Sequence, residues 1–476
     1  MQSKADDALF KLLNLDPHND FDAKEKFKYK EEAVLVLTQF FPSAFRKMYT
    51  FHGYFDDPEL KTYPLTAACA LGASISTIRK IFELYPKASF DALCESCVSK
   101  FSMDIVEFLV ESRPEALEEH DDLHANVFHH AARSGDPPFE ILQYLVEKRH
   151  RQLLETDVNK CTPLHFACEN GLPLSTFRLF VDNKGIVLKK KNSDGQTPLH
   201  NACSVIDTSL DVIEFMVKNC HTALEIPDEF GNVPLHAAVR SMSARVVHFL
   251  IASNKNMLTS KANLMEWTPL HMACAERDRS SIVQIVAKGN PSILIDPDAN
   301  GRTPLHLASA MSDVETVKIL VGLNQGALEM RTKDKYTPFV EACMAENVPV
   351  IKYLADKYPD VLQIQIENDH WSPLHVVCAN GKKKAPQILL EIHPLLAKLL
   401  DKKSRTPLAL FATNCSGDDE ENMEVIQALL HVYPDARKMV DDDGNPPLNQ
   451  SQTEALIDGF LTSDRRRSVK KPRTSS

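Results

Sequence analysis

Residues 300–310, N-G-R-T-P-L-H-L-A-S-A, contain a tetrapeptide that recurs along this chain of 476 residues. From residue 126 to residue 406, a copy of T-P-L-H or a variant of it begins every 34 to 36 residues. Such a period predicts a stacked array of small units, because no single unit can bury its own apolar face. The full copies begin at Thr162, Thr197, Thr268 and Thr303, the close variants at Val233, Thr337, Ser372 and Thr406, and fainter ones at Tyr63, Asp91, Asn126 and Pro446.

The residues of one copy predict a pair of short helices. Thr303 suits the position before a helix, because its hydroxyl can accept a hydrogen bond from a helix N–H group. Pro304 suits the first helical position, where no N–H is needed. Leu305 and Ala308 then share one face, and a second apolar segment with helical spacing follows at residues 314–321. Prolines that end the second segments are Pro42, Pro86, Pro114, Pro291, Pro359, Pro394 and Pro434.

A turn is predicted before each first helix. Five residues before the Thr position stands an Asp or Asn, whose side chain can bond its own backbone, and in several units a Gly follows three residues later. Each unit is therefore predicted to run turn, helix, turn, helix, loop. The Asp and Asn residues are Asp157, Asn192, Asp228, Asn263, Asp298, Asp401 and Asp441, and the glycines are Gly195, Gly231, Gly301 and Gly444.

The T-P-L-H-x-A opening and the D-x-x-G turn resemble those of the ankyrin repeat. The resemblance covers about residues 60–449 and implies an all-α solenoid of helix-turn-helix units with finger loops, about eleven repeats long with degenerate caps. The period here is near 35 residues, whereas the family period is about 33, and the family's G-A-D-x-N exit is absent. We expect the additional residues to lengthen the finger loops and to leave the helix stack unchanged.

The repeat pattern fades at both ends of the chain. Residues 1–45 are predicted to form a helical N-terminal cap, residues 46–449 the repeat array, and residues 450–464 a C-terminal capping helix. Caps are expected because an uncovered terminal repeat would expose its apolar side. Residues 465–476 form a basic tail that we expect to be disordered, and the acidic insert at residues 416–422 is predicted to be an exposed loop.

Composition and charge limit the classes of protein that fit. No run of 18 apolar residues occurs, so no membrane span is expected, and the acidic N-terminus is a poor secretory signal. A cytoplasmic location is expected, with the nucleus open if the tail directs import, and the eleven cysteines are then reduced thiols. The chain carries a net charge of −11, and the six basic residues of the tail leave −17 for the rest. Nucleic-acid binding along this acidic body is not expected.

Histidines and cysteines recur at fixed places in the motif, which predicts structural roles. The resemblance implies that the motif imidazole hydrogen-bonds the backbone of the turns and ties neighbouring units, while a cysteine in the slot after the motif Ala packs as a small apolar group. The histidines are His129, His165, His200, His236, His271, His306 and His375, and the cysteines are Cys69, Cys97, Cys168, Cys203, Cys274, Cys343 and Cys378. The pair Cys94 and Cys97 lacks the further ligands of a zinc site. No phosphate-binding or nucleophile motif occurs, so no catalytic residue, cofactor or metal is predicted.

The residue before the motif Thr is the candidate binding position. In ankyrin repeats this place lies on the exposed finger and commonly contacts a partner. In five consecutive units it holds Trp267, Arg302, Tyr336, Trp371 and Arg405, which include the only two tryptophans of the chain. These residue types are enriched at interface hot spots, and helices that pack 8–10 Å apart would spread them over about 35–40 Å. The alternative is that the rings only stack between adjacent fingers.

The two interpretations differ in the expected effect of replacing both tryptophans with alanine. If Trp267 and Trp371 bind a partner, the double variant should lose the partner and keep nearly the same melting temperature. A large loss of stability would favour the packing interpretation.

The basic tail is a second candidate site. Its cationic residues resemble a nuclear-import patch, and Ser468, which follows three arginines, resembles a site for a basophilic kinase. The alternative is a solvated terminus that only aids solubility. The patch consists of Arg465, Arg466, Arg467, Lys470, Lys471 and Arg473.

These features predict a non-enzymatic protein-recognition module, an adaptor or scaffold that binds protein partners on a concave face formed by fingers and first helices. A preformed surface of this kind loses little conformational entropy on binding. Two alternatives remain open from the sequence. The chain could be a regulatory subunit of an enzyme, or a nuclear or nucleic-acid-associated factor that acts through its basic tail.

Overall fold

The computed structural model describes residues 2–14, 27, 30–50, 61–99, 101–181, 185–366, 369–414 and 420–448. These residues belong to two compact units, residues 1–246 and residues 247–476. Both units are built from the same element, a pair of short antiparallel helices followed by a 3₁₀ turn. The predicted helix-turn-helix repeat is therefore confirmed in each of them.

Each repeat contributes a first helix, a second helix and an exit turn. The first helices are Pro64–Ala70, Ser89–Ser99, Val127–Arg133, Pro163–Glu169, Pro198–Ser204, Pro234–Arg240, Pro269–Cys274, Pro304–Met311, Pro338–Met344, Pro373–Ala379 and Pro407–Asn414. The second helices are Ile75–Leu84, Met103–Ser112, Phe139–Arg149, Leu174–Leu179, Leu210–Asn219, Ala244–Ser253, Ser280–Gly289, Val314–Leu323, Val348–Lys357, Lys384–Ile392 and Glu420–Val432.

A 3₁₀ turn follows each second helix, which differs from the expected long finger. Pro, where present, begins this turn because its missing N–H and fixed φ suit a helix start. Much of the segment that was expected to lengthen the finger therefore forms this 3₁₀ turn, directly after the second helix. The turns are Pro86–Ala88, Pro114–Glu118, His150–Leu154, Val187–Lys189, His221–Glu225, Lys255–Thr259, Pro291–Ile295, Gln325–Glu329, Pro359–Leu362, Pro394–Lys398 and Pro434–Lys438.

Burial explains how the repeats hold together. Leu305 and Ala308 of helix Pro304–Met311 are buried, and this helix packs against the first helices on either side of it, Pro269–Cys274 and Pro338–Met344. Such contacts join consecutive repeats within each unit. Each fully buried leucine stabilises the stack by about 1.5–3 kcal/mol relative to an exposed one.

The N-terminal residues contain helices where a cap was predicted and two short strands where the repeat array was predicted to begin. Helices Gln2–Leu13 and Glu31–Phe40, followed by the 3₁₀ turn Pro42–Arg46, contact one another where residues 1–45 were predicted to form a helical cap. The short strands Tyr49–Thr50 and Lys61–Thr62 pair antiparallel next to them.

Asp91, which begins one of the faint motif copies, was predicted to precede a helix, and this prediction was wrong. It lies inside the first turn of helix Ser89–Ser99, which begins directly after the exit turn Pro86–Ala88. This repeat has no finger turn, and the missing turn explains why the step from Tyr63 is only 28 residues.

The C-terminal predictions lie largely outside the described residues. Residues 450–464, the predicted capping helix, and residues 465–476, the predicted disordered tail, are both outside them, so these assignments stay predictions. Of the insert at residues 416–422, the described part begins at Glu420 and already belongs to helix Glu420–Val432. The domain boundaries and the number of repeats also stay predictions.

The finger turns are closed by the carboxylate of the turn aspartate. Asp298 N–H donates to Arg302 O at 2.8 Å, and Asp298 Oδ1 accepts from the N–H groups of Asn300 and Arg302, both at 2.8 Å. The next finger then docks on this one, because Lys333 N–H donates to Asn300 O at 3.0 Å. Asp298 is only 5% exposed, because its carboxylate faces the hydrogen-bond donors of the turn and not the solvent.

The turn glycine has a left-handed backbone conformation and lies close to the next finger. Gly301 has φ +76°, and a Cβ added to it would lie 2.9 Å from Lys333 N. Gly444, at the same place in the last described finger, has φ +79° with no heavy atom within 4 Å of such a Cβ. The two glycines therefore share their backbone conformation and differ in crowding.

We expect Gly301→Ala to destabilise the chain by about 1–2 kcal/mol, since the added Cβ forces the two fingers apart. Gly444→Ala carries the same left-handed conformation without the clash and should cost less. Lys335 and Ser404 hold the same turn position at φ 67° and 60°, so a side chain can be carried there after a small backbone adjustment. Urea unfolding of the three proteins measures the difference, and equal losses for both variants would contradict the crowding explanation.

Candidate interaction surface

The motif histidines are structural, as the resemblance implied. His306 Nδ1 accepts from Thr303 N–H at 3.1 Å and lies 2.8 Å from the Thr303 hydroxyl. Its Nε2 donates to Tyr336 O of the next finger at 3.0 Å. Because a carbonyl only accepts, the ring is the neutral tautomer with its proton on Nε2. Burial lowers the pKa of His306 to about 4, so the ring stays neutral and ties two repeats together.

The same bond joins other pairs of repeats. The motif histidines His129, His165, His200, His271 and His375 each place Nε2 between 2.9 and 3.3 Å from the backbone oxygen of the residue before the next motif. The hydroxyl predicted to cap the helix accepts from a helix N–H at Thr268 and Ser372 but not at Thr303. In all three units it lies 2.7–2.8 Å from the imidazole that bridges to the next finger.

The cysteine slot is a packing column. All seven of its cysteines are at most 2% exposed, and burial raises the pKa of the Cys97 thiol to about 12. No disulfide joins any of the described cysteines. Among the residues that the structure describes, no cluster of three or more His, Cys, Asp or Glu side chains is arranged to hold a metal ion. Within the same residues, no helix has the length and low charge needed to cross a membrane.

The predicted binding residues lie in the second unit, on consecutive fingers. Both tryptophan fingers are closed by a β-bridge, between Ala262 and Trp267 in one and between Ile366 and Trp371 in the other. In the first, Ala262 N–H donates to Trp267 O at 2.8 Å, so the loop is one residue longer than that of Asp298. Asn263 is a turn residue as predicted, since its Oδ1 accepts from Met265 N–H at 2.7 Å, but in this longer loop it stands one residue after the bridge residue Ala262.

Each tryptophan is anchored to the finger that follows it. Trp267 Nε1 donates to Asp298 Oδ2 and Trp371 Nε1 donates to Asp401 Oδ2, both at 3.2 Å. Both rings are half-buried. The second carboxylate oxygen of the turn aspartate, which the backbone leaves unused, thus accepts from the indole of the preceding finger.

Tyr336 and Trp371 meet in one apolar cluster. Together with Met344 they pack, half-buried, against the buried side chains of Val340, Ile366 and Val376. Burial raises the pKa of Tyr336. The two aromatic rings from neighbouring fingers therefore pack beside the same buried cluster, and both are only half-buried.

The two arginines are held by carboxylates beside them. Arg302 Nε lies 3.5 Å from Glu341 Oε1, and the Arg302 side chain is still 40% exposed. Arg405 Nη2 lies 2.8 Å from Asp401 Oδ2, with 27% of its side chain exposed. Burial raises the pKa of Glu341, so the pairing with Arg302 offsets part of the cost of keeping that carboxylate charged.

Sequence reasoning missed one residue of this surface. Leu264, at the tip of the Trp267 finger, is 97% exposed, and its neighbour Met265 is 47% exposed. An isolated exposed leucine is common, but an apolar pair at the tip of a turn is unusual because turn positions favour polar residues. The signal was present in the sequence as two adjacent apolar residues, Leu-Met, at a place where fingers such as those of Val158 and Phe230 pair an apolar residue with a polar one.

A family model described as "Ankyrin repeats (3 copies)" matches four overlapping segments, residues 93–192, 173–261, 235–329 and 315–398. Together these segments cover more than half of the chain. The chain therefore belongs to the ankyrin-repeat family. Arrays of this class are protein–protein interaction modules and are generally non-enzymatic.

Individual relatives share the repeats. The chain is similar to the probable 26S proteasome regulatory subunit p28 of Saccharomyces cerevisiae, at 25% identity over 43% of this chain and 89% of p28. It is 29% identical to ankyrin repeat protein nuc-2 of Neurospora crassa, over 43% of this chain but only 18% of nuc-2. Among solved structures, the ankyrin repeat domain of Bcl-3 matches at 19% identity with a TM-score of 0.39, over 48% of this chain and 98% of that domain.

Proposed function

We propose that the chain is an adaptor or scaffold that binds a partner protein through the finger ridge of its second unit. The finger ridge consists of Trp267, Arg302, Tyr336, Trp371 and Arg405. The single observation that supports this most is the shared cluster in which Tyr336 and Trp371 are held in fixed orientation yet remain part-exposed. Rigid aromatic side chains lose little entropy on binding, which favours their use as anchors.

The packing alternative stated for the tryptophans is compatible with this proposal. The indole bonds to Asp298 and Asp401 fix the rings, and a fixed ring is a better binding group than a mobile one. Arg302 supports the proposal separately, because its charge is exposed and arginine is among the residues most enriched at interface hot spots.

A variant of two exposed side chains tests the proposal most cleanly. Leu264→Ser combined with Arg302→Gln should cost little stability at the exposed Leu264 and a modest amount at Arg302, whose charge partners the largely buried Glu341 carboxylate. Partner capture is therefore compared at equal folded fraction. We expect partner proteins captured from native lysate by the wild-type chain to be depleted at least tenfold by this variant, the loss expected when about 1.4 kcal/mol of binding energy is removed.

The matched control is Leu395→Ser, which removes a side chain that is 60% exposed in the exit turn Pro394–Lys398 of the same unit. The control should retain every partner. Equal capture by wild type, control and finger variant would place the binding surface elsewhere and refute the proposal.

A second candidate function is that of a regulatory subunit within a larger assembly. It is favoured by the similarity to p28, whose printed name describes a probable proteasome regulatory subunit. The two candidates differ in how the chain migrates on size-exclusion chromatography of native lysate. A subunit co-elutes with a large complex, whereas an adaptor with exchangeable partners elutes mostly near its own mass.

Import through the basic tail, and phosphorylation at Ser468, stay proposals about residues outside the described range.

A further inference from the structure

We infer that the finger ridge recognises an acidic protein segment with an apolar anchor residue. The inference rests on the proposed function and adds the chemistry of the partner. It depends on two features of the second unit: the exposed charge of the fingers between residues 332 and 405, and the apolar cluster around Trp371.

The turn carboxylate of the Arg405 finger is turned inward. Asp401 is 7% exposed, with Oδ1 accepting from the N–H groups of Lys403 and Arg405, at 2.9 and 2.8 Å, and Oδ2 from Arg405 and Trp371. In the finger of Tyr336 the corresponding residue is Thr332, whose hydroxyl accepts from Tyr336 N–H at 3.1 Å. A carboxylate that is buried and fully hydrogen-bonded contributes little to the potential outside the finger, and a threonine contributes no charge.

The lysines of the same fingers are turned outward. Lys333, Lys335, Lys402 and Lys403 are all exposed, and none forms an ion pair with a carboxylate in the described part of the chain. Among the described residues of these fingers, the exposed acids are Asp334 and Asp369. The sequence adds Glu367 in the Trp371 finger, outside the described residues, so four lysines stand against three acids besides the paired Asp401 and Arg405. In a chain of net charge −11, this block is a local reversal of sign, and it favours association with a negatively charged partner.

The apolar anchor is assigned to the cluster between the two lysine-bearing fingers. Met344 contributes a flexible, polarisable side chain next to the fixed rings of Tyr336 and Trp371, and methionines at binding surfaces adapt to side chains of different shape. An aliphatic or aromatic side chain on the partner can pack here while acidic neighbours face the lysines on both sides. A nucleic acid offers negative charge but no such aliphatic anchor, so a protein segment fits better.

The last described finger limits the basic block. Its residues Asp442 and Asp443 are exposed, and Asp442 N–H donates to Lys403 O at 3.1 Å, so this acidic finger lies directly beside the basic one. An acidic partner is therefore repelled at this edge. The acidic edge offers a substitution that should strengthen binding, which a merely destabilising change could not do.

Peptides from a random display library, selected on the immobilised full-length chain, test the inference. We expect the selected peptides to be enriched in Asp and Glu around one large apolar residue. Lys402→Glu with Lys403→Glu should slow their association about tenfold and reduce its salt dependence. Lys288→Glu with Lys352→Glu, which reverses two exposed charges on second helices, should have little effect, and Asp442→Asn with Asp443→Asn should strengthen binding.

The outcomes separate this inference from the proposed function. Selected peptides that are neutral or basic, and that bind the Lys402/Lys403 variant as well as the wild type but lose affinity for Leu264→Ser/Arg302→Gln, would overturn the inference alone. If no peptide binds, or if none responds to either variant, the proposed function fails as well. Competition by short single-stranded DNA as effective as that by acidic peptides would show a surface selective for charge alone and would also overturn the inference.

Discussion

Acidification from pH 7.5 to pH 5 should lower the thermal unfolding midpoint of this chain markedly. Burial holds the pKa of His129, His165, His306 and His375 down to about 4, and it also lowers the pKa of His200 and His271. As the pH falls below about 6.5, the unfolded chain binds protons that the folded chain does not. Stability is therefore fully present above pH 6.5 and is lost as the pH falls towards 4.

The magnitude follows from the number of histidines that titrate together. Each contributes up to about 1.4 kcal/mol per pH unit in this window. Three carboxyl groups act in the opposite direction, because burial raises the pKa of Asp91 to about 6 and partial burial raises those of Glu169 and Glu341. They are outnumbered by the histidines. Hydrogen bonds lower the pKa of Asp401, so the stability that its charged form contributes is lost only below the pH range in which the histidines titrate.

Single substitutions identify the source of the effect. His306→Gln should be less stable than the wild type at pH 7.5 but should lose less between pH 7.5 and pH 5, because glutamine does not titrate. His248→Gln, at an exposed position on helix Ala244–Ser253, should leave the pH dependence unchanged. Circular dichroism melts at three pH values measure these differences. Identical midpoints for the wild type at pH 7.5 and pH 5 would contradict the prediction.

Trp371→Ala should destabilise the second unit by about 2–4 kcal/mol, somewhat less than the cost of removing a fully buried tryptophan. The substitution removes packing against the buried cluster of Val340, Ile366 and Val376 and also the donor to Asp401. This prediction differs from the expectation from the sequence that alanine at both tryptophans would leave the melting temperature nearly unchanged. The double alanine variant therefore cannot separate binding from folding.

Trp371→Phe is the variant that separates the two roles. Phenylalanine keeps most of the apolar contact and loses the Nε1–H group, so about 0.5–1.5 kcal/mol of stability should be lost. Asp401 keeps its bonds to Arg405 and to the backbone, which limits the cost. Partner binding should then persist for Trp371→Phe and fail for Trp371→Ala. Chemical unfolding measures the stability of each variant, and partner binding is then compared at equal folded fraction. Equal stability of the alanine variant and the wild type would refute the packing argument.

The sequence by itself determined the repeat, the order of its elements and the structural role of its histidines and cysteines. These features are local, because a helix start needs Thr and Pro at adjacent positions and a stack needs the same residue type at the same place in every unit. The candidate finger ridge could likewise be located by counting from the motif. The exception was Asp91, where the finger is absent and only the helix register was preserved.

Only the tertiary structure decided how the fingers contact one another. The indole bonds from Trp267 to Asp298 and from Trp371 to Asp401 join residues about thirty positions apart, and nothing in either finger alone specifies them. The inward turn of the aspartates is local, because Oδ1 of Asp298 and of Asp401 accepts from backbone N–H groups of its own finger. Which group meets the remaining carboxylate oxygen depends on the donor that the neighbouring repeat brings near it, and that is a property of the packed array.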